Sequence, residues 1–553
     1  MPETISIEEF IERLHNNEII LEDMKPVVLG LYCYRQMSDK LEYYMNQVLL
    51  NRQYDENLQI TANTNEENSP NESTIKLEID EDIRIEYRDI DKRQYNDEYP
   101  IIKEFTQDYL GYFIEPYNLY SEIHSKLNRG QEIYKDITNA LNNITRELIH
   151  YTELSDSIEE VDENLDKLNI FQDINLKIFE DKKEILYNII QNIGQLDFNM
   201  TDDKIIIENY EYLADYFSKR IRESSEHYTP QSISNIIADI VAPHIKENTQ
   251  LYDPALGTGS TIIEILKKAR KFTENRLPSL STYQNSIDIY MYGNEINQST
   301  YNQAIMNMII HNVPYNNIHF NNTDTITYPQ EHKQTYDIIT TDLPLYRTYP
   351  GDVKKLSEDK RYKDYPITKR SMDYLFILDM LYNLKDDGII VTTVHPRTLF
   401  TEGSELKIRK QLLENNFIDA VIKLPRINLS LPLEPSLLII KKKRQTRDIL
   451  FIDASEEREK RRKYQISPES IQKILETYHN RQEINKYSRN VSLEEIKEYN
   501  CNLTPKIYVT TYEETKIDIK AITSRFHKIR EELRKNDEEL KEYFKDKENI
   551  FQL

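Results

Sequence analysis

The sequence has little cysteine and little glycine, 2 and 10 residues among 553, and it has no long apolar run. Two cysteines, Cys33 and Cys501, are too few for a disulfide framework or a cysteine-based zinc site. Without a run of about 20 apolar residues, no membrane-spanning helix is predicted. The first residues, MPETISIEEF, are acidic where a secretory signal has a basic start and an apolar core. We therefore expect a cytoplasmic protein in a reducing compartment.

Acidic residues outnumber basic ones, because 95 Asp and Glu stand against 71 Lys and Arg, a formal net charge of −24. Such a chain repels nucleic acid over most of its surface, so any DNA contact must be local or shared with a basic partner. Two basic runs, Lys441–Arg444 and Arg458–Lys463, interrupt the acidic background. We interpret them as a solvated strand end and a solvated helix face. The alternative is contact with DNA phosphates beside an active site.

The scarcity of glycine gives weight to the stretch LYDPALGTGS at Leu251–Ser260. Its pattern predicts a short strand that ends near Asp253, a turn through Gly257 and Gly259, and then a helix. Glycines there permit a tight turn and let backbone N–H groups approach a ligand closely. No lysine follows Gly259, so the turn is not a phosphate-binding P-loop. The acidic Asp253 at the strand end suits hydroxyl or amine groups of a ligand.

Later strands are followed by acidic residues in a similar way. The pairs are Ile287–Tyr292 with Glu295, Ile318–Phe320 with Asp324, and Tyr336–Thr341 with Asp342. Further strands are predicted at Ile389–Val394, Ile418–Leu424 and Leu437–Lys441, and helices at Thr300–Ile310, Met372–Leu384 and Gly403–Asn415. Because strands and helices alternate, the pattern predicts an α/β fold with a doubly wound, mainly parallel sheet.

Helical patterns flank this α/β region on both sides. We predict a helical N-terminal domain over 1–200, with a flexible insert at about 51–71, the α/β domain over 201–465, and a C-terminal helical region over 466–553. The insert is nearly free of large apolar residues, which is typical of a loop. The tail carries a short heptad seam with a polar residue in it: Phe526, Ile529, Leu533, Asn536, Leu540 and Tyr543. This seam packs either on its own domain or on a helix of a partner.

The order of motifs resembles a known family. HYTP, DPALGTGS, GNEIN and a D-x-P-x tetrad after a strand are similar to the N6-adenine DNA methyltransferases, and more narrowly to the modification (M) subunit of type I restriction–modification systems. Supporting stretches include VVLGLYCYRQMSDKLE, FTEGSELKIRKQLLENNFIDAVIKLP and YSRNVSLEEIKEYNCNL. The resemblance implies a Rossmann-like class I methyltransferase domain. It also implies S-adenosylmethionine as cofactor, and as partners a specificity (S) subunit, a second M copy, a restriction (R) subunit and double-stranded DNA.

The resemblance also implies roles for individual residues. Tyr228, Thr229 and Pro230 would line the cofactor pocket. Asp253, Gly257 and Gly259 would bind the methionine part, with Ser260 among the cofactor-binding residues, and Glu295 and Asp324 would take the ribose hydroxyls and the adenine amine. Asp342, Leu343, Pro344 and Leu345 would form the catalytic tetrad, with Tyr346 adjacent to it. No metal is expected, because positioning and electrostatics would carry methyl transfer to a flipped adenine.

The tetrad departs from the Asn-Pro-Pro-aromatic pattern of the family. Asp342 can still accept a hydrogen bond, but Leu345 cannot stack on a flipped base, which weakens the grip by roughly 1–3 kcal/mol unless Tyr346 substitutes. Two hypotheses follow. One is an active adenine-N6 methyltransferase subunit, which we favour, and the other is a cofactor-binding scaffold with weak or no methyl transfer in a DNA defence complex. Methylation of RNA or protein by the same fold is a third, less favoured option.

Overall fold

The structure is a computed structural model, and it describes a defined part of the chain. The described residues are 4–15, 19–62, 87–89, 103, 106–107, 110–155, 170–171, 174–200, 203–221, 229–276, 289–327, 335–344, 348–367, 369, 372–426, 434–458, 466–510 and 519–548. Within these residues, no helix combines the length and the apolar character needed to cross a membrane.

The N-terminal region is helical, as predicted. Its helices are α1 (Ile7–His15), α2 (Leu21–Ala62), α3 (Tyr120–Asn128), α4 (Tyr134–Ser155), α5 (Lys183–Gln195) and α6 (Lys204–Arg220). The apolar face of α2 is buried at Val27, Val28 and Leu31, as its helical spacing predicts. The Tyr32 hydroxyl also donates to the Ile206 carbonyl of α6 at 2.8 Å. The long helix therefore forms part of the core of this region.

The flexible insert predicted at 51–71 is wrong for its first part. Helix α2 continues through Ala62, so 51–62 is helical, whereas 63–71 lies outside the described residues. The reason is local, because 51–62 contains no glycine or proline, and half of its residues (two Gln and one each of Arg, Glu, Leu and Ala) are good helix formers. Low apolar content alone was a poor indicator of a loop.

A sheet of nine strands organises the rest of the described chain. The strands are β1 (Thr249–Asp253), β2 (Ile289–Asn294), β3 (Ile318–Asn321), β4 (Tyr336–Thr341), β5 (Leu384–Val394), β6 (Ile418–Lys423), β7 (Ser436–Lys441), β8 (Ile449–Asp453) and β9 (Ser488–Val491). Their order is β3-β2-β1-β4-β5-β7-β6-β8-β9. Strands β1 to β5 pair in parallel, β7 lies antiparallel between β5 and β6, and β9 is antiparallel to β8. The predicted doubly wound, mainly parallel α/β fold is confirmed.

Helices cover both faces of this sheet. They are α7 (Gln231–Val241), α8 (Ser260–Arg276), α9 (Gln298–Ile310), α10 (Val353–Glu358), α11 (Asp373–Asn383), α12 (Ser404–Glu414), α13 (Pro468–His479), α14 (Leu493–Glu498) and α15 (Pro505–Val509). A last helix, α16 (Ile519–Glu548), follows at the C-terminus. Successive strand side chains point to opposite faces, so Leu251 of β1 joins one apolar core and Tyr252 joins the other. Both faces are therefore packed, as parallel sheets require.

Two predicted boundaries need correction. Strand β5 begins at Leu384, five residues before the predicted start at Ile389, and includes Asp386, Asp387 and Gly388, and the β4–β5 register shifts there. Strands β8 and β9 extend the sheet beyond the predicted last pair, so the sheet crosses the predicted boundary at 465 and the region after it is not purely helical.

The C-terminal helix α16 exposes the first part of its predicted seam. Phe526, Ile529 and Leu533 have exposed fractions of 65%, 49% and 60%. The side chains of Leu540 and Tyr543 lie outside the described set. The three measured side chains therefore do not pack on the chain's own domain, which removes that alternative for this part of the seam.

Candidate cofactor-binding and catalytic site

The sheet order locates the site. Strand order reverses between β1 and β4, which are direct neighbours. In open α/β sheets a ligand crevice forms outside the carboxyl ends of the strands at such a switch point. Asp253 is the last residue of β1, and Asp342 directly follows β4. The two acidic residues that the sequence singled out therefore stand side by side at this crevice.

The glycine turn between β1 and α8 is built from two left-handed residues. Gly257 has φ +57° and Gly259 has φ +75°, a region that favours glycine. A Cβ added to Gly259 would lie 2.8 Å from Cε of Met308 on α9, whereas a Cβ on Gly257 would meet nothing within 4 Å. Gly259 thus serves helix packing, and Gly257 leaves open space above the turn. Helix α8 begins at Ser260, directly after the turn.

Glu295 ties the end of β2 to this turn. Its Oε2 accepts from the Gly257 N–H at 2.9 Å, and its Oε1 accepts from the Asn297 N–H at 2.8 Å. The Asn322 side chain donates to the Glu295 carbonyl at 2.8 Å, which adds a link to the end of β3. Glu295 is half-buried. Each carboxylate oxygen retains capacity for a further hydrogen bond, so this residue can also accept from a ligand hydroxyl.

Asp253 is a buried carboxyl group in acidic surroundings. It is 2% exposed, and its Oδ1 accepts from the Ala255 N–H at 3.0 Å. Burial raises the pKa of Asp253 to about 7, and the charges of Asp342 and Glu295 add to the rise. Thr341 and the Ala255 N–H favour the ionised carboxylate and therefore limit the rise. Desolvation and like charges both oppose ionisation here. The site would therefore favour a cationic ligand group that relieves the crowded negative charge.

Asp324 lies in the loop after β3. Its Oδ1 accepts from the Ile326 N–H at 3.0 Å, and its Oδ2 accepts from the Thr327 hydroxyl at 2.7 Å. The Thr325 hydroxyl donates to the Pro254 carbonyl at 2.6 Å, next to Asp253. This bond holds the Asp324 loop against the end of β1.

A buried arginine, Arg361, donates to backbone carbonyls of the same loop. Arg361 pairs with Asp379 at 2.8 Å and with Asp359 at 2.7 Å, and it donates to the carbonyls of Thr325 at 2.6 Å and Ile326 at 3.0 Å. Arg361 and Asp379 are 5% and 1% exposed. This cluster was not predicted, because nothing in the sequence around Arg361 or Asp379 marks them as partners.

The arginine cluster reaches the ends of two more strands. The Tyr252 hydroxyl donates to Asp379 at 3.4 Å, and the Asn294 side chain donates to the Tyr252 hydroxyl at 3.1 Å. Tyr252 precedes Asp253, and Asn294 precedes Glu295. The cluster therefore connects the backbone segments that carry Asp253, Glu295 and the Asp324 loop.

The first two tetrad residues are held by a strand neighbour. The Thr393 hydroxyl of β5 donates to Asp342 Oδ1 at 2.6 Å and accepts from the Leu343 N–H at 2.9 Å. Leu343 is buried and Pro344 is half-buried. Leu345 and Tyr346 lie outside the described residues. Thr393 was not predicted, because a threonine within a β-rich run is ordinary.

The helix that follows the HYTP motif also reaches the site. Tyr228 lies outside the described residues, while Thr229 and Pro230 are half-buried directly before α7. The hydroxyls of Ser234 and Thr261, near the starts of α7 and α8, are 3.4 Å apart. The start of α7 therefore lies beside the helix that follows the glycine turn, as a shared cofactor pocket requires.

The basic run Lys441–Arg444 does not belong to this site. Lys441 pairs with Ile389 in the β5–β7 ladder, toward the amino end of β5 and away from the crevice. Its ammonium is 3.1 Å from Asp419, and the Arg444 guanidinium is 3.2 Å from the same carboxylate. The alternative of DNA contact beside the active site is thus wrong for this run. Of the second run, Arg458 is exposed and 459–463 lies outside the described residues.

The sheet order, the antiparallel β7 and the acidic residues around a glycine turn define the class I methyltransferase fold. A family model described as N-6 DNA Methylase matches residues 201–517, more than half of the chain. The chain belongs to this family, which confirms the resemblance found in the sequence. The match also continues past 465, in agreement with strand β9 found there.

Relatives match along most of the chain. The MpnII type I restriction enzyme methylase subunit of Mycoplasma pneumoniae is 28% identical over 446 residues, 76% of this chain and 79% of the relative. The MjaVII methylase subunit of Methanocaldococcus jannaschii is 30% identical over 448 residues, 77% and 73%. The crystal structure of a type I restriction–modification methyltransferase subunit from Streptococcus thermophilus is 25% identical, with a TM-score of 0.72, over 91% of this chain and 98% of that one.

Proposed function

We propose that this chain is an S-adenosylmethionine-dependent adenine-N6 DNA methyltransferase, the modification subunit of a type I restriction–modification complex. The observation that carries the proposal is the arrangement of Asp253 and Asp342 at the ends of neighbouring strands, beside the glycine turn. One carboxylate would face the cofactor and the other the target base. Family membership supports methyl transfer to DNA.

The residues present fit the cofactor. The open space above Gly257 leaves room for a ligand against the turn. The buried Asp253, next to other acidic groups, suits the positively charged methionine part. Glu295 would accept from the ribose hydroxyls, and Asp324 would accept from the adenine amine, because both retain unused lone pairs. Tyr228, Thr229, Pro230, Gly259 and Ser260 would complete the pocket.

The tetrad residues would act on the target adenine. Bound S-adenosylmethionine supplies an electrophilic methyl group. The N6 amine is conjugated with the purine ring and is therefore a weak nucleophile. Asp342 and the Leu343 carbonyl would accept its two N–H bonds, which localises the lone pair on nitrogen and orients it. Such pre-positioned acceptors act by electrostatics and alignment.

The scaffold alternative rests on one residue. Leu345 lacks the ring that would stack on a flipped base, at a cost of roughly 1–3 kcal/mol unless Tyr346 takes its place. The bonds from Thr393 to Asp342 and Leu343 support the enzyme instead, because they hold both proposed amine acceptors in place.

The proposed partners follow from charge and from exposed surface. A net charge of −24 suits a subunit that reaches double-stranded DNA only together with a basic partner. The exposed Phe526, Ile529 and Leu533 on α16 would pack on a helix of the specificity subunit. A second modification subunit and a restriction subunit would complete the assembly.

The test is methyl transfer by the complex of this chain with its co-expressed specificity subunit. Unmethylated DNA is incubated with methyl-labelled S-adenosylmethionine and digested to nucleosides, which are separated by mass. We expect label in N6-methyladenine. Label only in N4-methylcytosine would contradict the adenine assignment, and absence of label from DNA with cofactor binding intact would favour the scaffold.

A further inference from the structure

The contact between Thr393 and the tetrad has a defined hydrogen-bond direction. Thr393 is fully buried in β5, 51 residues along the chain from Asp342. A hydroxyl has one hydrogen to donate and two lone pairs that accept. The Leu343 N–H can only donate, so the Thr393 oxygen accepts that bond at 2.9 Å. Its own hydrogen then goes to Asp342 Oδ1, at 2.6 Å.

We propose that Thr393 is a positioning residue that aims the two amine acceptors of the tetrad, and that aspartate at position 342 is matched to it. This inference rests on the proposed function. One hydroxyl contacts both the Asp342 carboxylate and the Leu343 N–H, so it helps to orient both. With Oδ1 directed at Thr393, the second carboxylate oxygen points in a set direction, where it would accept from the N6 amine.

Aspartate suits position 342 because of the number of hydrogen-bond acceptors on its side chain. A carboxylate has two oxygens that accept, whereas an asparagine side chain has one oxygen that accepts and one NH2 group that donates. If the side chain of an Asp342→Asn variant gave its oxygen to the Thr393 hydroxyl, its NH2 group would face the N–H donors of the target amine. Two donors facing each other cannot bond. In the opposite orientation, the NH2 group would donate to the second lone pair of the Thr393 oxygen, and the Thr393 hydrogen would lose its acceptor at position 342. Either orientation forfeits one hydrogen bond, so the asparagine that is usual in the family's tetrad would work less well in this chain than Asp342.

The neighbouring Thr392 provides a matched control. It is also fully buried in β5, but its hydroxyl donates to the Thr393 carbonyl at 3.1 Å. Thr392→Val therefore removes a buried strand hydroxyl by the same substitution as Thr393→Val. Thr393→Ser keeps the hydroxyl and removes only a methyl group.

The experiment measures kcat for adenine-N6 methylation and the Kd for S-adenosylmethionine in the complex with the specificity subunit. Loss of a hydrogen bond to a charged group predicts a fall in kcat of roughly 10- to 100-fold for Thr393→Val. We expect the Kd for S-adenosylmethionine to change by less than about threefold, because the contact lies on the side of the target base. A change of that size is what substitutions away from a binding site usually cause. Thr393→Ser should retain most of kcat, and Thr392→Val should stay close to wild type.

A double-mutant cycle separates positioning from general damage to the strand. In an Asp342→Ala background, Thr393→Val should cause a clearly smaller loss than in the wild type, because the carboxylate it aims is gone and only the Leu343 N–H contact remains to be lost. Asp342→Asn alone should lower kcat. Equal losses in Thr393→Val and Thr392→Val, undiminished loss in the Asp342→Ala background, or full activity of Asp342→Asn would each overturn the inference while the proposed function stands. A wild-type complex that makes no N6-methyladenine would overturn the proposed function and this role with it.

Discussion

Replacement of Arg361 by methionine tests whether the buried ion cluster holds the site together. The substitution keeps an unbranched apolar stem but removes the pairs with Asp379 and Asp359 and the donors to Thr325 and Ile326. Asp379 would then be a carboxylate at 1% exposure without its cationic partner. The loop that carries Asp324 would lose two backbone contacts at the same time.

The magnitude follows from the burial of the pair. Breaking a buried ion pair by removing one partner costs about 3–5 kcal/mol. Burial already raises the pKa of Asp379 to about 6 although Arg361 lowers it. Without Arg361 that pKa rises further, so protonation near pH 7 relieves part of the cost. We therefore expect the lower end of the range, about 3 kcal/mol.

Calorimetry of the intact chain measures this loss. A chain of this size often unfolds in more than one transition, so the same transition is compared between variants. At about 2–4 °C per kcal/mol, the transition should fall by roughly 6–12 °C. Arg489→Met is the matched control, since its paired contacts with Glu495 at 2.7 and 2.8 Å lie on a side chain 45% exposed. Exposed pairs contribute about 0.2–1 kcal/mol. Equal shifts for both variants, with equal affinity for S-adenosylmethionine, would refute the role of the cluster.

Three further predictions follow from the same geometry. Gly259→Ala should lower the unfolding transition more than Gly257→Ala, because both residues have positive φ but only the Cβ at 259 meets a neighbour, at 2.8 Å. Equal losses on calorimetry would contradict this. Asp253→Asn should melt above wild type at pH 8 and close to it at pH 4. The pKa of Asp253 is about 7 in the folded chain and 3.8 ordinarily, so its contribution to the stability of the wild type is greatest below pH 3.8 and is lost as pH rises through 7. A difference independent of pH would show that Asp253 does not titrate in this window. Leu533→Glu should leave the melting transition unchanged, since the side chain is 60% exposed, but should abolish co-purification with the specificity subunit, as should deletion of Ile522–Leu553. An unchanged complex would remove α16 from the interface.

The central strands were predictable because their local patterns are strong. Tyr336–Thr341 was predicted as a strand, and all six of its residues are buried in β4. Gly257 and Gly259 marked the turn because glycine is rare in this chain. By contrast, Ser488–Val491 has no apolar alternation and is a strand only because it pairs with β8. Its conformation depends on long-range contacts that a local pattern does not contain.

The site residues also fall into those that the sequence predicts and those that it does not. Asp253 and Glu295 could be located because acidic residues after strands of a parallel sheet meet at one edge. Thr393 and Arg361 could not, because their partners lie far along the chain or are backbone carbonyls. The roles of the predicted cofactor and tetrad residues stay predictions until ligand binding and turnover are measured.

The measurement that tests the central claim most directly compares Asp342→Ala and Asp253→Ala in one set of assays. Each variant, in complex with the specificity subunit, is tested for S-adenosylmethionine binding by calorimetry and for N6-methyladenine formation on unmethylated DNA. We expect Asp342→Ala to bind the cofactor as wild type does but to form product only at a small residual rate, and Asp253→Ala to lose both. Product at the wild-type rate in Asp342→Ala, or intact binding in Asp253→Ala, would contradict the assignment of these two carboxylates.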